Sequence, residues 1–140
     1  MQKLSIAEIE TLVLNKLKAS ITDRKIEAFP DDIDKYLNSF ANNVILVNYL
    51  KSDYTQPAAA NKLLQNRIVH FQITIMNKNL RATDSKSAGL YDELETVTVA
   101  LSGFEMLGFK RMYPVEDKFL NKDQNIWKYA VIFAAERKLN

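Results

Sequence analysis

Arg67-Ile-Val-His-Phe-Gln-Ile-Thr-Ile-Met-Asn77 is the stretch around which the rest of the chain is organised. Val69, Phe71, Ile73 and Ile75 recur at every second position, and His70, Gln72 and Thr74 fall between them. A period of two belongs to a strand with one buried face, and β-branched and aromatic side chains suit that pleated, half-buried surface. Such a face has to be covered by something apolar. The two clearest amphipathic helices of the chain flank it on either side.

Upstream, Ser5-Ile-Ala-Glu8 has the spacing of a capping box, in which Ser and Glu satisfy each other's exposed backbone amides. The helix it opens places Ile6, Ile9, Leu12, Val13 and Leu17 on one stripe and ends near Ala19 or Ser20. Downstream, the spacing predicts a helix from about Ser87 to Ser102, with Ser85 or Ser87 as N-cap. Leu90, Leu94, Val97 and Leu101 make its stripe, Asp92, Glu93 and Glu95 complement the helix dipole near its start, and Gly103 stands just past its end.

The remaining segments read as strands and loops. Ile26 to Phe29 is a short strand stopped by Pro30, and Asp31 to Asn43 is a polar connection with one helical turn around Asp34 to Leu37. Val44 to Leu50 is a strand that is apolar on both parities and so wants cover on both faces. Ser52 to Asn61 reads as a loop that includes Tyr54, and Asn77 to Lys86 as a second polar loop carrying Lys78, Arg81 and Lys86. Arg111 to Phe119, interrupted by Pro114, is an edge strand, and a polar turn from Asn121 to Asn125 joins it to a strand from Ile126 to Ala135. The order α-β-β-β-α-β-β describes an α+β fold, a mainly antiparallel sheet with two helices packed on it, in a single domain over residues 1–140.

Composition removes several function classes. The 140 residues include no cysteine, which excludes disulfides, thiolate metal sites and Cys nucleophiles together. Nineteen basic and seventeen acidic residues leave a net charge of +2 with the signs interspersed, the opposite of a basic nucleic-acid stripe. No apolar run reaches the ~18 to 20 residues that span a bilayer, so the chain reads as soluble, and the lack of cysteine is compatible with a reducing cytoplasm. His70 is the only histidine and sits off the buried face of its strand, where it reads as structural or as surface. Asp31, Asp32 and Asp34 lack the glycine and distal glutamate of a calcium loop, and Asp after Pro30 is ordinary turn and N-cap chemistry. Gly89, Gly103 and Gly108 are too far apart to cradle a phosphate. The residues thus offer no catalytic group, metal site or cofactor site, and the expectation is a protein that is not an enzyme. A further feature points to association. Val44 to Val47 and Trp127 to Ala135 are apolar on both parities, so an unassigned helix or a neighbouring subunit should cover the second sheet face, unless the first helix takes one face and the second helix the other.

Across nearly its whole length the chain resembles the tail-terminator family of small tail proteins from Mu-like phages and prophages. The matching residues are Ile6 to Glu10, Phe29-Pro-Asp-Asp32 with Tyr36, Leu46-Val-Asn-Tyr49 leading to Ser52 and Tyr54, and Phe71 to Ile75 ending in Asn79-Leu-Arg81. Ala88 to Leu101 followed by Ser102-Gly-Phe104, then Tyr113-Pro-Val115, Phe119 and Trp127-Lys-Tyr129, complete the pattern. One departure is Lys51, where a small residue is expected ahead of a turn at Ser52. The resemblance implies a structural protein that closes a homo-oligomeric ring, typically of six subunits, on the tail tube protein, stops tube growth and receives the head-side connector protein. It implies assembly in the host cytoplasm and residence in the virion tail, with no specific nucleic acid and no membrane among its partners. On this basis Pro114, Trp127 and Tyr129 are expected at subunit contacts, and Tyr54, Lys78, Arg81 and Lys86 on loops that reach the tube or the lumen. The alternative from a different class is a small α+β ligand-binding protein, or a non-catalytic subunit of a cytoplasmic complex, with Asp31, Asp32, Tyr49 and His70 around a pocket.

Overall fold

The computed structural model describes residues 3–37, 43–57, 65–78, 83–123 and 126–139. Its elements in chain order are α1 (Ile6–Ser20), β1 (Lys25–Ala28), α2 (Ile33–Leu37), β2 (Asn43–Tyr54), β3 (Asn66–Asn77), α3 (Thr83–Leu101), β4 (Tyr113–Asp123) and β5 (Ile126–Lys138). The strands form one five-stranded sheet in the order β1-β2-β3-β5-β4. All neighbouring pairs are antiparallel except β1 with β2. The architecture is α+β, as the sequence leads one to expect, and β3 occupies the centre of the sheet.

Period two on β3 does what it predicts. Val69, Phe71, Ile73 and Ile75 are fully buried, and they meet Ile45 and Val47 of β2 and Val131, Phe133 and Ala135 of β5 in one core. Helices α1 and α3 lie on that face, sending in Ile9, Val13 and Leu17 from the former and Leu90, Val97 and Leu101 from the latter. Each fully buried aliphatic or aromatic side chain here is worth about 1.5–3 kcal/mol of transfer free energy, so this single layer contact dominates stability.

The expected capping box is present. Ser5 Oγ accepts from the Glu8 amide at 3.1 Å, and the Ser5 amide donates to the Glu8 carboxylate at 2.9 Å. These bonds hold the Glu8 carboxyl below its ordinary value. Ser5→Ala removes one of the two and should lower the unfolding free energy by about 1 kcal/mol, read as an earlier midpoint in urea with an unchanged slope.

Boundaries differ from expectation in four places, each with a physical reason. β2 continues through Tyr54, so Ser52, Asp53 and Tyr54 belong to a strand and not to a loop. The register slips between Tyr49 and Lys51, which makes Leu50 the extra residue of a bulge. The turn expected around Lys51 and Ser52 is therefore replaced by a bend within a paired strand. α3 begins at Thr83, which puts Lys86 inside a helix and the two candidate N-cap serines, Ser85 and Ser87, past its start. β4 runs from Tyr113 to Asp123, later than the expected Arg111 to Phe119, and takes in part of the expected turn. β5 continues from Ala135 to Lys138.

The polar connection after β1 contains one short helix, α2, and it settles what covers the second sheet face at one end. Ile33 and Tyr36 of α2 pack on Val44, Leu46, Met76 and Ile126, the residues of opposite parity to the main core. Tyr36 Oη donates to Glu27 at 2.7 Å, tying α2 back to β1, and partial burial with the nearby carboxylate pushes the Tyr36 hydroxyl well above its ordinary pKa.

Candidate assembly surfaces

Over β2, β3 and β5 both faces of the sheet are largely buried within the chain. On the face away from α1 and α3, Thr74, Ala130, Ile132 and Ala134 are buried along with the cluster under α2. His70 also lies on this face, buried at 7% exposure, with Nε2 at 3.7 Å from the Asp53 carboxylate. Substantial apolar surface remains along β4, where Tyr113, Val115 and Phe119 are 44%, 50% and 49% exposed. As the end strand of the sheet, β4 leaves its outer flank without a strand partner among the described residues. Eleven residues of unpaired edge bearing large apolar side chains form a template for another chain.

Pro114 sits at the second position of that edge, opposite Phe133, where a missing N–H is tolerated. The register slips on both sides of the strand's middle, leaving Val115 and Leu120 as bulged residues. Trp127 and Tyr129 lie on the neighbouring strand and are half-buried against the helix side of the core. They support the edge from within. The Phe119 ring stands 5.3 Å from that of Tyr129 and 6.1 Å from that of Trp127, and Lys122 lies 5.2 Å from the Trp127 ring centre. Tyr91 of α3 meets Tyr129 edge-on at 5.9 Å. The hydrogen bond with Tyr91, together with burial, pushes the Tyr129 hydroxyl up to about 12. Tyr113, Val115 and Phe119 were the residues to find from sequence. The available signal was apolar side chains on a strand that Pro114 marks as an edge.

Of the four residues expected to reach the tube or lumen, Tyr54 and Lys78 lie at opposite ends of the β2–β3 pair. Tyr54 ends β2, is 51% exposed and is stacked by Arg67 at 5.7 Å. Lys78 follows the end of β3, which is the far end of the β2–β3 pair, about 35 Å away at strand rise. Lys86 lies in α3, and Arg81 falls outside the described residues. The pocket of the alternative reading does not assemble either. Asp32 accepts the Lys35 amide at 3.1 Å and so caps α2. Tyr49 packs edge-on against Phe71 on the helix side and shares a 2.6 Å hydrogen bond with Ser52, whereas His70 is on the opposite side. Three surface cavities are formed by other residues.

One of these cavities is a cleft of about 580 Å³ at the corner where the end of β5 meets the turn before β4. Lys3, Lys110, Arg137 and Lys138 surround an apolar floor of Leu4, Leu107 and Phe109. Gly108, at φ +83°, makes the turn that brings Phe109 beside Arg137. Arg137 is fixed in place, stacking on Phe109 at 5.0 Å and donating to the Leu4 carbonyl at 2.7 Å. Burial, with a smaller contribution from the charge of Arg67, holds its pKa below the ordinary value. A second cavity, under α3, contains Arg24 and the nearly buried Glu93, whose Nε and Oε1 atoms are 3.1 Å apart. Burial raises the Glu93 carboxyl above its ordinary value despite the opposing pull of Arg24 and Asn77.

No curated protein matches the chain. Among solved structures it is similar to a chain of the virion of a native gene transfer agent particle, with a TM-score of 0.61 at 14% identity. The match covers 97% of this chain and 99% of that one, so the two share a fold from end to end. The sequence also matches the family model of the Gp37 protein over residues 13–139, from the middle of α1 through β5, and the chain belongs to the Gp37 family.

Proposed function

We propose that the chain is a non-catalytic structural protein of a phage-type particle, and that it closes into a ring of six on the tail tube, ends tube growth and offers the head-side connector its docking surface. It would assemble in the host cytoplasm and remain in the virion tail. The observation that carries this reading is the distribution of unsatisfied surface. Over β2, β3 and β5 both sheet faces are largely buried within one chain, while β4 has an open outer flank and exposes Tyr113 on the Ala134 face, Phe119 on the helix side and Val115 at the bulge between them. An edge of this kind is completed by a neighbour. When the open edge of one subunit meets the β1 side of the next, the contact is heterologous, and rotation closes it into a ring. The end-to-end fold similarity to a virion chain supports the setting, and the residue pattern shared with tail terminators supports the specific role.

The test is the solution mass by light scattering across protein concentration. A closed species near 97 kDa, six times the 16.1 kDa chain, is the expected result, either free or released from co-assembly with tube protein. A chain that stays at 16.1 kDa alone and also fails to bind the tube overturns the reading.

A further inference from the structure

The basic cleft and a second surface on the opposite side of the sheet complement each other. After β1 the chain runs Phe29-Pro-Asp-Asp-Ile-Asp34, six residues with three carboxylates and no cation. Phe29 is 38% exposed, although phenylalanine is normally a core residue, and Asp31, Asp32 and Asp34 are all exposed. Among the described residues Asp31 and Asp34 have no ion-pair partner. Among the described residues the cleft holds four cations against one carboxylate, Glu136, which is already engaged by Asn66 and Lys110, while Lys3 donates to the Lys138 and Leu139 carbonyls. Its apolar floor includes Leu107, which is 65% exposed. A cleft with this lining suits a segment that brings one large apolar side chain flanked by carboxylates.

The two surfaces cannot meet within one molecule. β1 and β5 are separated by β2 and β3, a span of about 14 Å, and the Leu107–Lys110 wall of the cleft lies on the flank of β5 that faces away from β1, with only Asn66 of β3 on the near flank. Placement on opposite sides of one sheet favours a head-to-tail contact, because an isologous pair would need both surfaces on the same side.

We infer that the Phe29–Asp34 segment of one subunit docks into the Lys3–Lys110–Lys138 cleft of the next copy, with Phe29 on the Leu107 and Phe109 floor and the aspartates among the cations. This rests on the head-to-tail ring and names a second contact within it, beside the β4 edge. The ion pairs steer and fix register, and they weaken with salt. Phe29 is the anchor.

The experiment exploits the even number of subunits. Asp31→Lys/Asp34→Lys reverses the segment, and Lys110→Glu/Lys138→Glu reverses the cleft, all at exposed positions, with circular dichroism to verify folding. Each variant alone should lose assembly, because like charges face each other at every contact. An equimolar mixture should recover the wild-type mass, since each reversed segment meets a reversed cleft and each native segment a native cleft around an alternating ring. Phe29→Ala should weaken association about tenfold or more. If wild type assembles but the reversed variants assemble equally well alone, or the mixture fails, the docking is overturned while the ring stands. A peptide of residues 27–37 titrated into the full-length chain decides the contact even if no ring forms without tube. Amide shifts confined to residues 107–110 and 136–138, and lost in Lys110→Glu/Lys138→Glu, support the docking, whereas no shift at millimolar peptide overturns it.

Discussion

Replacing Arg24 by alanine is expected to destabilise the fold by about 3 kcal/mol at neutral pH and by less as the pH falls through the raised pKa of Glu93. The side chain of Glu93 is 6% exposed beneath α3, and Arg24 is the cation beside it, at 3.1 Å. Removing Arg24 leaves a buried carboxylate without its counter-charge, and breaking a buried pair by deleting one partner is among the more costly changes available. The pH dependence follows from the direction of the shift. Burial raises the folded-state pKa of Glu93 above 4.5, so the folded protein holds the proton more tightly than the unfolded chain does. The penalty from this group is therefore greatest above the folded pKa and fades as pH falls through it towards the unfolded value. In Arg24→Ala the folded pKa rises further and the recovery on acidification becomes larger. Glu93→Gln keeps the shape and removes the charge, so it should be close to neutral or stabilising at pH 7 and should abolish this dependence. The double variant Arg24→Ala/Glu93→Gln should be far milder than Arg24→Ala alone. Urea midpoints at pH 5 and pH 7.5 for the four proteins check this, and a loss in Arg24→Ala that does not change with pH would contradict it.

The second large effect is on assembly. Tyr113→Lys/Val115→Lys should leave a folded monomer and weaken self-association about a hundredfold or more. Both side chains are roughly half exposed in the isolated chain, so their replacement costs the monomer little. In a ring they are desolvated beside the outer flank of β4, Tyr113 on the Ala134 face and Val115 at the bulge, where two introduced ammonium groups oppose pairing, the device by which natural edge strands resist joining. Phe119 is a poorer choice, because it packs on Trp127 and Tyr129 and would report on folding as well. Light scattering gives the mass, and an unchanged thermal midpoint shows the monomer is intact. Persistence of the ring in this variant would exclude the β4 edge as the contact.

Much of the fold was legible because β3 and α1 carry undiluted signals. Val69 to Ile75 alternate without interruption, and Ser5 to Glu8 states a helix start chemically. The misread boundaries share a cause, which is loss of period. The bulge at Leu50 swaps the inward parity of β2, so Lys51 to Tyr54 show no alternation continuous with Val44 to Tyr49. The first turn of α3, Thr83 to Lys86, has no apolar stripe to announce it. His70 was placed on the correct side of β3 but is buried there, since single-sequence parity says which side a residue takes and not how deeply that side is covered. The cleft had no signal at all. It is built from Lys3, Asn66, Lys110 and Lys138, four positions that only the folded topology brings together. Tyr113, Val115 and Phe119 could have been singled out, since an edge strand has little use for three large apolar side chains unless another chain meets it.

The central position of β3 also has a consequence in time. Its β2 partner precedes it closely in the chain, but its other partner, β5, starts about fifty residues downstream, beyond α3 and β4. At a synthesis rate of roughly 5–20 residues per second, the β2–β3 hairpin is made several seconds before β5 exists. During that interval the row of backbone groups that will pair with Ile126 to Lys138 stands open, beside Phe71, Ile73 and Ile75. The nascent chain therefore passes through a stage at which its stickiest edge is its innermost one, and the yield of folded subunits should depend on how many copies are being translated close together.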